Sequence, residues 1–124
     1  MKLHHVALIV SSLDRSLDFY QEALGFQVLR KEFRTERNSW KVDLIRDGIQ
    51  LEMFTFPGAP ARPSYPEAMG LRHLAFSVDH IETFHAELKE KNIAVEEIRV
   101  DHQTGKKFFF FADPDNQPLE IYEN

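Results

Sequence analysis

The stretches Asp47-Gly-Ile-Gln-Leu-Glu-Met-Phe54 and Asp115-Asn-Gln-Pro-Leu-Glu-Ile-Tyr122 lie 68 positions apart, and at that same offset His5-Val-Ala-Leu-Ile-Val10 falls on His73-Leu-Ala-Phe-Ser-Val78. One register that serves both an opening and a closing segment is the mark of an internal repeat. It superposes His5 on His73, Ala7 on Ala75, Val10 on Val78, Asp14 on Glu82, Leu51 on Leu119 and Glu52 on Glu120. Each half therefore opens on a histidine and closes on a glutamate.

Local patterning gives the elements between those ends. HHVALIV alternates and is rich in β-formers, so it reads as a strand. Asp14 is placed to cap a helix over about Arg15 to Leu24 that Gly25 closes. FQVLRKEF, SWKVDLIR and IQLEMFTF follow as three strands. FPGAPARPSYPEAMG then carries Pro57, Pro60, Pro63 and Pro66, the composition of an extended, semi-rigid connection. After it the order restarts. RHLAFSVD is a strand, IETFHAELKEKN a helix with Ile81, Phe84 and Leu88 at helical spacing, and IAVEEIRV, KKFFFFAD and PLEIYE are strands. The expectation is an α+β fold of two tandem β-α-β-β-β modules. The first covers about 1–56, the proline-rich linker about 57–70 and the second module about 71–124, within a single domain of 124 residues.

Strand parity then sorts the side chains by face, because alternate residues point to opposite sides of a sheet. Val6, Leu8, Val10, Leu51, Met53, Leu74, Phe76, Val78, Leu119 and Ile121 share one apolar face, which the helices are expected to cover from outside. His5, Glu52, His73 and Glu120 share the other, with Ala7, Ala75, Ser77, Gln50, Phe54 and Tyr122. Small, polar and aromatic groups in that mixture suit the wall of a cleft. Two histidines and two carboxylates there can supply N2O2 ligation to one divalent ion per site. In a chain with no cysteine, Ni, Co, Zn, Fe or Mn suits such donors, and the residues do not choose among them.

Composition narrows the partners. Fifteen Lys+Arg against 20 Asp+Glu leave a net charge of −5, which argues against nucleic acid as a partner and leaves small molecules. The opening MKLHHVALIV is too short in apolar residues for a leader or membrane span, and the lack of cysteine suits a reducing compartment, so a cytoplasmic protein without a membrane partner is expected.

HHVAL, SLDFYQEALGF, LEMF, GLRHLAFSVD and FADPDNQPLEIYE together resemble the vicinal oxygen chelate superfamily, and among its branches the chain is similar to glyoxalase I, the lactoylglutathione lyases. That resemblance implies an open barrel built from paired β-α-β-β-β modules, with His5, Glu52, His73 and Glu120 as the metal ligands. It implies a Lewis-acid metal that holds two vicinal oxygens of a 2-oxoaldehyde hemithioacetal or related substrate while a carboxylate moves a proton between neighbouring carbons. Glu120 is the expected base and Glu52 the steady ligand or second base. A homodimer is also implied, with His5 and Glu52 facing His73 and Glu120 of a second copy, although pairing within one chain satisfies the same sequence.

One position departs from the branch. Ile9 stands where glyoxalase I carries an arginine for the glutathione part of its substrate, four residues past the first ligand, so a glutathione or other thiol adduct is only one candidate. Lys41 and Asp43, which alternate with apolar neighbours in SWKVDL, are candidates to meet an anionic substrate; they equally fit a surface pair across strands. Lys106 lies where the resemblance places a basic loop. Trp40, Phe54 and Tyr122 are candidate apolar walls. His4, His80, His85 and His102 are read as ordinary, Phe108 to Phe111 as core on both faces of a strand, and the charged RKEFRTER as solvated. Two other functions share the scaffold: an Fe(II) dioxygenase, which needs only one carboxylate beside its histidines, and a metal-free drug-binding module.

Overall fold

The computed structural model describes residues Met1–Asn124. Eight strands and two helices follow in chain order: β1 Val6–Ile9, α1 Leu13–Glu22, β2 Gln27–Arg34, β3 Ser39–Arg46, β4 Ile49–Phe54, β5 Leu74–Val78, α2 Ile81–Glu90, β6 Arg99–Val100, β7 Lys107–Ala112 and β8 Pro118–Glu123. They fall into two compact units, Met1–Ala61 and Arg62–Asn124, divided inside the proline-rich stretch. Each unit is one β-α-β-β-β module around a four-stranded mixed sheet, and neither sheet closes into a barrel. No helix is long and apolar enough to cross a membrane.

The two sheets share one topology, β1-β4-β3-β2 and β5-β8-β7-β6. In each, the helix carries the chain from the first strand to the far edge of the sheet, and an antiparallel meander brings the last strand back to lie parallel to the first. A parallel pair needs such a crossover. Its consequence is local to the chemistry, because the strand led by the histidine becomes the neighbour of the strand that carries the glutamate. Register fixes the match: Ala7 pairs with Glu52 and Ala75 with Glu120.

The apolar face is buried as its parity requires. Val10, Val42, Leu44, Leu51 and Met53 are at most 3% exposed, and Leu17 and Tyr20 of α1 turn inward with them. In the second unit Phe109, Phe111, Leu119 and Ile121 are buried with Ile81 and Leu88 of α2. Each such large apolar side chain taken from water contributes about 1.5–3 kcal/mol.

Three local expectations are corrected. Helix α1 begins at Leu13, and its cap is Ser12, whose side chain accepts the Arg15 N–H at 3.4 Å; Asp14 sits instead in the first turn, where its charge complements the helix dipole. The run IAVEEIRV contributes only β6 and an isolated bridge between Val95 and Phe111. Between them the Glu96 carbonyl is taken by His85 Nε2 of α2 at 2.8 Å while the Glu96 N–H still donates to the Phe110 carbonyl at 2.9 Å, so the run touches β7 without forming a continuous ladder. Phe108 and Phe110 are only half-buried, since alternation sends them to the face of Glu120 while Phe109 and Phe111 fill the core.

Gly25 closes α1 at φ +67°, with its N–H donating to Gln21 and the Phe26 N–H donating to Tyr20. A Cβ there would lie 3.0 Å from Arg46 Nη1, the donor that also satisfies the Leu24 carbonyl. Gly25→Ala is therefore expected to cost about 1–2 kcal/mol, the usual penalty of a left-handed L-residue, and to lower Tm without changing the folded spectrum.

Candidate functional site

Each unit brings one predicted histidine to its predicted glutamate. In the first, His5 Nε2 lies 3.6 Å from Glu52 Oε2, and in the second, His73 Nε2 lies 3.1 Å from Glu120 Oε2. The imidazoles sit one residue ahead of β1 and β5, and Ala7 and Ala75, opposite the carboxylates, leave room above the sheet. The glutamates are about seven-eighths buried and the histidines about a third exposed. Within neither unit do three or more His, Cys, Asp or Glu side chains gather around a metal position, so each pair by itself offers two donors.

The pairs nevertheless fit a divalent ion. Nitrogen and oxygen donors about 2.0–2.2 Å from a metal lie roughly 3.0–3.5 Å apart in octahedral or tetrahedral arrangements, which brackets one observed separation and falls just short of the other. His4, read as ordinary, contributes to this geometry. Its Nδ1 shares a hydrogen bond of 2.9 Å with His5 Nδ1, which leaves His5 Nε2 turned toward Glu52. A partner on the far ring nitrogen commonly orients a ligating histidine. The adjacent pair His4-His5 was the available signal in the sequence. His73 is steadied differently, with its ring edge-to-face on Phe110 at 5.1 Å between centroids.

Around the carboxylates the repeat stops being symmetric. Across the first sheet Arg30, Asp43, Glu52 and Ala7 form one row, and Glu32, Lys41, Phe54 and Ile9 the next. Arg30 donates to Asp43 at 3.0 Å, and Lys41 Nζ lies 3.4 Å from both Asp43 Oδ1 and Glu52 Oε1. Glu52 is thus held in a chain of alternating charge. The matching rows of the second sheet read Phe110, Glu120, Ala75 and Arg99, Phe108, Tyr122, Ser77. Glu120 has aromatic neighbours where Glu52 has Lys41 and Asp43.

The proposed walls divide accordingly. Phe54 lies on the Glu52 face beneath the Arg34 guanidinium, 4.8 Å from its ring centroid. Trp40 is on the opposite face, against Phe33 and under Lys31, so it does not join Glu52; it alternates with Lys41 and cannot share its side of the strand. Tyr122 stacks on Phe108, and its hydroxyl donates to Asp101 Oδ2 at 2.9 Å and contacts Thr104. Lys106 Nζ donates to the Asn124 carbonyl at 2.8 Å. Tyr122 and Lys106 thus tie the β6–β7 hairpin to the end of the chain. Ile9 is well exposed, with no cation in its place.

The hairpin anchor has a pH signature. The Gln103 N–H and then the Tyr122 hydroxyl hold the Asp101 carboxyl below its ordinary value of 3.8. A lowered folded value means that this stabilisation is complete above the unfolded pKa and is lost as pH falls through the folded one. Tyr122→Phe is expected to raise amide exchange over 101–106 at neutral pH, and acidification below about 3.8 to do the same in the unaltered protein.

Two tandem β-α-β-β-β modules, each presenting one histidine and one glutamate on the face away from its core, define a class of small two-module proteins. The chain belongs to the Glyoxalase/Bleomycin resistance protein/Dioxygenase superfamily, whose sequence model matches residues 2–121. It is 50% identical over 122 residues to protein YwkD of Bacillus subtilis (98% of this chain, 95% of that one) and 50% identical over 123 residues to protein YaeR of Escherichia coli (98% and 95%). The crystal structure of a glyoxalase family protein from Enterococcus faecalis superposes with a TM-score of 0.93 at 52% identity, over 98% of this chain and 97% of that one. More distant relatives are enzymes by name: a lactoylglutathione lyase of Schizosaccharomyces pombe (27% identical; 97% of this chain, 46% of that one), the metallothiol transferase FosB of Staphylococcus saprophyticus (26%; 97% and 75%) and a catechol-2,3-dioxygenase of Bacillus subtilis (31%; 95% and 40%).

Proposed function

We propose that the protein is a divalent-metal-dependent lyase or isomerase of the glyoxalase I kind, with His5, Glu52, His73 and Glu120 as the ligands of one ion. The observation that carries the reading is the recurrence, in both units, of a close His–Glu pair, 3.6 Å apart in one and 3.1 Å in the other, on the face opposite the core. When bound, the ion supplies Lewis-acid polarisation of two adjacent substrate oxygens and acidifies the neighbouring C–H. The chain's own groups do the rest. Lys41 keeps Glu52 in place as a fixed carboxylate, while Glu120, with no cation among its strand neighbours, takes the proton from one carbon and returns it to the next. The working assembly proposed is a homodimer in the cytoplasm.

Ile9 weighs against glutathione as an obligatory part of the substrate, because a large aliphatic group offers nothing to its carboxylates. The test is lactoylglutathione formation from methylglyoxal and glutathione by protein loaded in turn with Ni, Co, Zn or Mn, run beside the free 2-oxoaldehyde. Turnover of either with at least one metal is expected. Inactivity of fully loaded protein on both, with oxygen uptake on catechols by the Fe(II)-loaded protein, would replace the lyase reading by the dioxygenase one.

A further inference from the structure

A cavity of about 700 Å³ opens beside Glu120 in the second unit, lined by Arg99, Val100, Asp101, His102, Phe108 and Glu120 among others. Sheet register puts Arg99, Phe108 and Tyr122 in one row on the Glu120 side. The Arg99 guanidinium lies over the Phe108 ring at 4.8 Å and 5.9 Å from that of Phe110. Stacking on an aromatic face fixes the plane of a guanidinium and leaves its N–H edge free to meet a planar anion. Phe108 thus lines the cavity with the Arg99 fork over its ring, and Glu120, which is paired with His73 at 3.1 Å, lines it as well.

Arg99 is the cation of this wall, which also carries the carboxylates of Asp101 and Glu120. Asp101 on the same wall already accepts from Tyr122 and from the Gln103 N–H. The partner of Arg99 is Glu96 at 2.8 Å, but both side chains are more than half exposed, and a pair so wetted exchanges readily for a better one. The other basic candidates are engaged: Lys41 between Asp43 and Glu52, and Lys106 on the Asn124 carbonyl.

We propose that Arg99 is a specificity-determining residue, and that the site takes small, planar or conjugated substrates that carry a carboxylate or similar oxyanion remote from their vicinal oxygens. The inference rests on the reading of Glu120 as part of the reaction centre and adds the class of substrate. Arg99 anchors the anionic end against Phe108 while the vicinal oxygens reach the His–Glu donors.

The test uses 3,4-dihydroxybenzoate and its neutral methyl ester, which share the adjacent oxygens and the ring and differ in the charge at the far end. Titration calorimetry on zinc-loaded protein is expected to show the acid binding about tenfold tighter than the ester, the scale of one charge-assisted pair at a part-exposed site. Arg99→Gln should bring that ratio to about one by weakening the acid alone, and Arg99→Lys should keep part of it, since a point charge replaces the fork. A ratio near one in the unaltered protein, or one that Arg99→Gln leaves unchanged, overturns the role of Arg99 while the metal reading stands. Binding of neither probe overturns the vicinal-oxygen reading and this inference with it. Because Arg99 lies on the surface, an unchanged Tm in both variants separates loss of recognition from loss of fold.

Discussion

Protein purified without chelators and reloaded with Ni, Co, Zn or Mn is expected to hold about one ion per chain, and His5→Ala, Glu52→Ala, His73→Ala and Glu120→Ala each to weaken binding by at least ~100-fold. The physical reason is that each unit offers only two donors, 3.6 Å apart in one and 3.1 Å in the other. Two donors hold a first-row ion poorly, so a site made of both pairs cannot spare one. His80→Ala, at the exposed start of α2, is the control that keeps full occupancy. Metal content by mass spectrometry and affinity by competition with a chelator give the answer. Retention of the ion in His5→Ala and Glu52→Ala together with its loss in His73→Ala would assign the ion to the second unit alone. Retention in all four would remove the metal site.

Glu120→Gln is expected to lower kcat by about 10²–10⁴ with metal still bound, the range that general acid–base catalysis contributes, while Glu52→Gln costs less in kcat and more in metal affinity. This asymmetry comes from the neighbours. Glu52 is paired through Lys41 with Asp43 and, beyond it, with Arg30, so its oxygens are held. Glu120 has Phe110 beside it in the sheet and, among charged groups within its strand rows, only the more distant Arg99. Steady-state rates on the substrate that is turned over, together with metal content of the same samples, separate the two roles. A larger loss of kcat in Glu52→Gln would exchange them.

Much of this was legible because β-strands alternate strictly. The 68-residue register and the parity of Leu51, Glu52, Met53 and of Leu119, Glu120, Ile121 place the core on one face and the carboxylates on the other, and the burial of those residues agrees. Duplication made the signal strong, since a histidine and a glutamate recurring at one offset are hard to produce by surface composition alone. Less legible were features set by who stands opposite whom. Ser12 displaced Asp14 as the helix cap because the cap is chosen by backbone geometry, and both residue types can serve. Phe108 and Phe110 in a run of four phenylalanines gave no alternation to read, so their place beside Glu120 awaited the pairing with β8.

The sequence by itself determined the two β-α-β-β-β modules, the face that each residue of the repeat would take, and the four residues worth testing as ligands. Only the tertiary structure decided that His4 orients His5 and that the two glutamates have unlike surroundings, one among charges and one among rings. The reason is physical: periodicity along a strand fixes the direction of a side chain, whereas its neighbours come from other strands, whose register the local pattern does not carry.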